Sequence, residues 1–290
     1  MSDSVPFARY ALMTFGGDDF RYWQAHYCLL GLLAYAPKPC EIVMATDHPE
    51  RFAWFGDSIR VHGMDAAQVK SWIGPEGYFL RTLIETARLA GRLTPTPAVA
   101  VYTDTDTVAR GDLTPLIRRA AAGRILLDCF EYVPANRNRS GTKALWAATG
   151  GRTWAGVPIT TQTPMWNTGV TAVSQADLPL LDKALAATDA ILATGCRHYL
   201  TEQIALSAAL TADGRAEEVN PAGKPPLILH YWGNKDGWNE AITAQLATIH
   251  HLGLTPEAAG AYVRANPINR PPVVKKKWWH RALGVKPLGD

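Results

Sequence analysis

The chain has 290 residues, 47% hydrophobic and 19% charged, which is enough to close a substantial core and too apolar for a disordered segment. Its formal charge of +3 is too mild to suggest a general nucleic-acid binder. Within residues 271–290 the bases Lys275, Lys276, Lys277, Arg281 and Lys286 face only Asp290, so the basic character belongs to the tail. Cys28, Cys40, Cys129 and Cys196 show no CxxC spacing, which argues against a zinc ribbon or a dense disulfide scaffold and for free thiols in a reducing cytosol. The opening MSDSVPFARY lacks the basic start and apolar run of a secretory leader. No stretch approaches the roughly 18 uncharged apolar residues of a membrane span.

Taken in order, the first half alternates strand and helix. Ala8–Phe15 is an apolar run ending at Gly16-Gly17. Asp18 or Asp19 can cap a following helix in which Phe20, Trp23, Tyr27 and Leu30 form an apolar stripe. Pro37 and Pro39 stop it, Glu41–Thr46 reads as a second strand, and Asp47-His48-Pro49 as its turn. Ser58–Gly63 fits a third strand, and Tyr78–Leu93 a helix with Leu80, Ile84, Ala87 and Ala90 inward. Ala98–Thr103 is a buried strand, Thr114–Ala122 a helix and Arg124–Asp128 another strand. Residues 136–163 read as a long loop, which is either a functional lid or a segment with hidden structure. Asn167–Val173 reads as a strand, Leu178–Thr194 and Thr201–Leu210 as helices, Leu227–His230 as a short strand and Trp238–Leu252 as a helix. This alternation favours an α/β fold with crossover connections, whose ligands bind beyond the carboxyl ends of the strands. The polar strand ends at Thr14, Asp47, Asp104, Asp106 and Asp128 would then line one edge.

The chemistry centres on Tyr102-Thr-Asp104-Thr-Asp106-Thr, where two carboxylates follow a buried strand. In extended backbone, residues i and i+2 point the same way, so both can face one cation. Carboxylate oxygens suit Mn²⁺ or Mg²⁺, and His230, at the end of its own short strand, adds an imidazole that favours Mn²⁺. Gly233 allows close backbone approach to a phosphate, and Lys235 can neutralise one.

In this order the pieces resemble the GT-A fold nucleotide-sugar glycosyltransferases, particularly the family 8 retaining enzymes that include glycogenin and the lipooligosaccharide galactosyltransferases. The similarity runs through most of residues 8–240. Thr103-Asp104-Thr-Asp106 with Gly111-Asp112-Leu113 is similar to the family's metal motif and its next turn. Ile125-Leu-Leu-Asp128 looks like the strand whose aspartate contacts the donor sugar, and Asn167-Thr-Gly169-Val170 like its Asn-x-Gly-Val segment. Glu202-Gln203 resembles the acidic-Gln pair near the reacting carbon, and His230-Tyr-x-Gly233 with Trp238 the family's C-terminal motif. At the family's lysine position this chain has Asp236, with Lys235 just before it and Gly237 where proline is usual.

The resemblance implies a mostly parallel sheet flanked by helices, with a GT-A domain over 1–254 and a C-terminal helix and basic tail over 255–290. It implies Asp104, Asp106 and His230 as ligands of Mn²⁺ (or Mg²⁺). Thr14, Asp47, Arg81, Asp128, Asn167, Gly233 and Lys235 are expected at the donor, with Gln203, Glu202 and Asp128 at the reacting carbon. Arg81 has a competing surface pairing with Glu85, and Tyr78, Trp146 and Trp154 are weaker candidates for an acceptor groove. The implied donor is a UDP-sugar and the acceptor a glycan or lipid-linked glycan. The tail's Trp278-Trp279 between bases suits an anionic membrane surface, which would place the protein in the cytoplasm, peripheral on the inner face of the cell membrane. Two other readings are a nucleotidyltransferase, disfavoured by the acidic Phe15-Gly-Gly-Asp-Asp-Phe turn, and a non-catalytic nucleotide-sugar-binding scaffold.

Overall fold

The computed structural model describes residues 4–231 and 235–268, without the side chains of Lys235 and Asp236. Strands β1 (Ala8–Thr14), β2 (Cys40–Thr46), β3 (Arg60–Gly63) and β4 (Val99–Thr103) pair in parallel. The chain continues through the short β5 (Thr107–Ala109), β6 (Ile125–Tyr132), the hairpin β7 (Arg152–Trp154) and β8 (Val157–Ile159), and β9 (Met165–Ser174). Last come β10 (Ala216–Glu218) and β11 (Ile228–His230). The main sheet has seven strands in the order β10-β6-β9-β4-β1-β2-β3. Only β9 runs against its neighbours, β4 and β6. That reversal brings the N-terminal end of β9 to the edge where β1, β2, β4 and β6 end.

Period-two alternation sets the two faces of the sheet. Tyr10, Leu12, Ile42, Met44 and Val101 enter one core with helices α1 (Asp19–Tyr35) and α4 (Thr114–Ala121). Helices α8 (Lys235–His251) and α9 (Pro256–Ala265) pack on this face too. Ala11, Val43, Ala100 and Tyr102 enter the other with α3 (Arg81–Arg92), α6 (Leu178–Ala193) and α7 (Thr201–Thr211). Helices α2 (Ala66–Ile73) and α5 (Ser140–Thr149) complete the set. α2, β5 and β10 are too short or too weakly patterned to stand out in the sequence.

Residues 136–163 prove to have structure of their own: α5 and the β7–β8 hairpin, which bury Leu145, Trp154, Val157 and Ile159 in the second core. Trp154 donates its indole N–H to the Thr149 carbonyl at 2.9 Å, so it belongs to this core and not to a groove. Tyr78 is also buried, donating to the Tyr199 carbonyl at 2.9 Å. The α1 stripe is only half inward. Tyr27 and Leu30 are fully buried, whereas Phe20 and Trp23 are 37% and 42% exposed because the first turns of α1 direct Tyr22, Gln24 and Ala25 inward instead. α9 packs on α1, where Gly260 lets the backbones approach and Ala259 and Val263 are buried in the first core. The basic tail lies outside the described residues. Among the described residues no helix is long and apolar enough to cross a membrane.

At the opposite end of the sheet from the polar edge, Arg9 is fully buried on β1. Its guanidinium pairs with Glu41 and donates to the carbonyls of Ala90 at 3.0 Å, Leu93 at 2.7 Å and Pro95 at 2.7 Å. It thereby ties the end of α3 to the sheet. Replacing a buried, fully paired charge strands its partners, so Arg9→Ala should lower stability by about 3–5 kcal/mol in urea unfolding. A loss below about 1 kcal/mol would refute this role.

Candidate functional site

Backbone pairing assembles the polar edge from three segments. The turn Asp104-Thr105-Asp106 joins β4 to β5. β5 pairs antiparallel with β11, which aligns His230 with Thr107, and the Tyr231 N–H donates to the Asp106 carbonyl at 2.9 Å. The Asp104 N–H donates to the Gly169 carbonyl at 2.7 Å, which locks the turn to β9. Asn220 fixes β11 by accepting from Leu227 and Ile228 at 2.8 and 3.1 Å and donating to the Ile228 carbonyl at 2.7 Å. Beyond β11, Tyr231 stacks on Trp238 of α8 with ring centroids 3.4 Å apart.

Asp104, Asp106 and His230 each present a ligand atom, and these atoms lie within 4.8 Å of one another. His230 Nε2 is 3.2 Å from Asp106 Oδ1 and 3.6 Å from Asp104 Oδ2. Its other nitrogen, Nδ1, is 2.8 Å from Asp128 Oδ2. A carboxylate accepts only, so Nδ1 carries the proton and Nε2 faces the acidic pair, the arrangement by which a second carboxylate orients a metal-binding imidazole. Burial alone would lower the His230 pKa. Hydrogen bonds with Asp106 and Asp128 and the charges of Asp104 and Asp106 outweigh it and raise it to about 10. The field that favours a proton on Nε2 equally favours a divalent cation there, and two carboxylates with an imidazole form a donor set suited to Mn²⁺. Tyr102 donates its hydroxyl to the other oxygen of Asp104.

Gly169 makes room for this cluster. A Cβ built there would lie 2.2 Å from His230 Cε1, 2.6 Å from its Nδ1 and 2.8 Å from Asp104 Oδ2. Beside it Asn167 accepts from the Gly169 N–H at 2.9 Å and donates to Glu131 at 3.3 Å. Gln203 donates to the other oxygen of Glu131 at 3.0 Å. Glu202 is buried and accepts from Thr168 at 3.0 Å. Burial raises its pKa to about 8, opposed by the Thr168 hydrogen bond and aided by the Asp104 charge.

Two clefts border the cluster. One, of about 350 Å³, is lined by Thr14, Phe15, Phe79, Leu83, Asp104 and Asp106. The buried Thr14 hydroxyl oxygen at its wall has no hydrogen-bond partner among the described residues. The other, of about 890 Å³, is lined by Glu131, Arg137, Asn167, His198, Tyr199 and Gln203.

The remaining expected site residues sit as follows. Asp128 is buried and accepts from His230 Nδ1 through its Oδ2. Asp47 lines a separate cleft of about 680 Å³ and accepts from the Gly16 N–H at 3.1 Å and the Tyr22 hydroxyl at 3.0 Å. Arg81 turns away from the edge that Phe79 and Leu83 line. Its guanidinium grips Asp189 at 2.7 and 3.1 Å, Glu85 at 3.0 Å and the carbonyls of Ser71 and Trp72. These contacts serve the junction of α2, α3 and α6, and the pairing with Glu85 is among them. Gly233 lies outside the described residues, and Lys235 opens α8. Glu131, Gly169's steric role and Asn220 were not singled out in the sequence. Only the place of Gly169 within Asn-x-Gly-Val signalled any of them.

Gly169→Ala should push His230 off Asp104 and abolish any Mn²⁺-dependent rise in melting temperature, and an undiminished Mn²⁺ shift would contradict the packing described. Glu202 gives a pH signature. Its folded pKa lies above the unfolded value of 4.5, so the protein binds more protons folded than unfolded between pH 4.5 and 8. Stability is therefore lost as pH rises through that window, by at most about 1.4 kcal/mol per pH unit. In chelator-treated protein the melting temperature of Glu202→Gln should gain on wild type steadily from pH 5 to 8. Parallel profiles for the two proteins would rule the shift out.

No protein-family model matches the chain, and no curated protein sequence matches it. Solved structures do. A crystal structure of an active-site mutant of LgtC aligns with a TM-score of 0.54 at 11% identity, over 83% of this chain and 95% of the other. The galactosyltransferase LgtC in complex with donor and acceptor sugar analogs aligns with a TM-score of 0.51 at 11% identity, over 91% and 98%. At that identity the likeness is one of architecture, and the architecture is the GT-A glycosyltransferase fold.

Proposed function

We infer that the protein is a divalent-metal-dependent glycosyltransferase, moving a hexose from a nucleotide-diphosphate sugar, foremost a UDP-hexose, to a glycan or lipid-linked glycan with retention of configuration. The observation that carries this reading is the convergence of Asp104, Asp106 and His230, with Asp128 behind the imidazole, at the strand-end edge of a GT-A sheet. Asp104, Asp106 and His230 Nε2 would hold Mn²⁺ or Mg²⁺. When bound, such an ion stabilises the charge that develops on a leaving diphosphate.

The chain's own groups supply the rest. Asp128 keeps the imidazole in the tautomer that presents Nε2. Thr14 lines the cleft beside the acidic pair, where the nucleotide end of the donor fits. Asn167 and Gln203 border the larger cleft, which suits the sugar and its acceptor, and LgtC, the structural neighbour, was solved with analogs of both. Gln203 would face the anomeric carbon and stabilise its developing positive charge. Glu202, held largely protonated near neutral pH, keeps Thr168 in place beside it without adding a second charge. Gly233 and Lys235 are assigned to the diphosphate from their order after His230. The tail's Lys275–Lys277 and Trp278-Trp279 suit an anionic membrane surface, where lipid-linked acceptors are held.

Thermal unfolding against UDP, GDP, CDP and ADP, each with and without Mn²⁺, tests the site. One nucleoside diphosphate should stabilise the protein only with Mn²⁺, by about 2.7 kcal/mol at 100 times its dissociation constant. The Asp104→Asn/Asp106→Asn double variant should lose that shift and the release of UDP from UDP-hexoses. A metal-independent shift, or a double variant as active as wild type, would remove the metal from the reading.

A further inference from the structure

Glu131 is a carboxylate at this edge whose hydrogen bonds come from two side-chain amides, and its surroundings are specific. On β6, Phe130 pairs with Trp166 and Tyr132 with Met165, so Glu131 is an extra residue between two consecutive partners on β9. Such a bulge re-aims the side chain it carries. Here the side chain reaches the wall of the larger cleft and receives two amides, Asn167 Nδ2 at 3.3 Å on one oxygen and Gln203 Nε2 at 3.0 Å on the other.

A carboxylate only accepts hydrogen bonds. Glu131 therefore dictates which end of each amide faces it. For Asn167 the choice is made twice, because its Oδ1 also receives the Gly169 N–H at 2.9 Å. Asn167 is thus a fixed strut between the metal-side glycine and Glu131. For Gln203 the choice rests on Glu131 alone, and it leaves Oε1 as the group that the side chain can turn to the cleft. A flipped amide would offer N–H instead, with the opposite sign of partial charge.

We propose that Glu131 is a positioning residue for glycosyl transfer: it fixes the amide of Gln203 so that Oε1, and not Nε2, faces the carbon from which the diphosphate departs. The proposal rests on reading the site as a glycosyl-transfer centre. An amide oxygen opposes the positive charge that grows there, whereas an N–H would raise the barrier. Glu131 itself forms no bond to substrate. A shorter aspartate could not span both amides, and glutamine could satisfy one of them only by turning its own N–H towards the other.

The test combines kinetics with a probe that needs no turnover. UDP release from UDP-hexose with Mn²⁺ is measured for wild type, Glu131→Ala, Glu131→Gln, Glu131→Asp, Gln203→Ala and the Glu131→Ala/Gln203→Ala double variant. Glu131→Ala should lower kcat about tenfold to a hundredfold with little change in donor KM, the scale of a misoriented catalytic group. Glu131→Asp should fall between it and wild type. The double variant should be no slower than Gln203→Ala, because a residue that acts through another adds nothing once that other is gone. Side-chain amide resonances in ¹⁵N-labelled protein, assigned by their loss in Gln203→Ala and Asn167→Ala, should shift in Glu131→Gln. Multiplying kinetic losses in the double variant, or amide resonances unmoved by Glu131→Gln, would overturn the proposal. If wild type releases no UDP from any UDP-hexose while the resonances do shift, the clamp stands as structure and the glycosyl-transfer reading is what fails.

Discussion

The hydrogen bond between His230 Nδ1 and Asp128 Oδ2, 2.8 Å long and buried, is the interaction on which the site depends. It joins the C-terminal ribbon to the main sheet and leaves Nε2 directed at the acidic pair. Without it the imidazole could flip, and the field of Asp104 and Asp106 would act on a ring of undefined orientation. The cost of burying three carboxylates at one edge is offset only because donors meet them: His230 for Asp106 and Asp128, and Tyr102 for Asp104. Gly169 is the steric condition for the same arrangement, since any side chain there would occupy the space of the imidazole.

The sheet meets this requirement by one reversal. β9 runs antiparallel between β4 and β6, which places Asn167 and Gly169 beside Asp104 and Asp128 at one edge. In an all-parallel order these residues would lie at the opposite end. The register shifts on β6 then do the fine work. The first falls at Asp128, opposite Thr168–Val170, and the second at Glu131. Each aims a carboxylate inward where regular pleating would alternate.

These particulars explain what the sequence did and did not disclose. β1, β2 and β4 were legible because both faces of a parallel sheet are buried, so the strands read as apolar runs between polar ends. The acidic pair and His230 were legible as residue types in order, and the structure brings them together. Asp128 was legible as a polar strand end, but its partner was not, because His230 lies far along the chain. Glu131 gave no signal, since a bulge is a property of pairing and not of either strand alone. Arg81 showed its helix pairing with Glu85, whereas its contact with Asp189 was hidden because α6 lies far along the chain. Residues 136–163 were obscure because α5, β7 and β8 are each too short for periodicity to show.

The β5–β11 ribbon has a consequence for how the site is put together. Asp104 and Asp106 lie in the turn after a strand buried in the main sheet, whereas His230 rides on a three-residue strand held by a three-residue partner, Asn220, Asp128 and one aromatic stack. Val108 and Ile228 anchor the ribbon in the first core, and its pairing is what carries the imidazole to the carboxylates. Opening it would cost the cluster its imidazole and leave the carboxylates in place. Any cation that draws on all three ligands must then bind more tightly to the closed ribbon than to the open one, and by reciprocity must hold it shut. Ion occupancy and the pairing of β5 with β11 are in this sense one equilibrium, read out at two places.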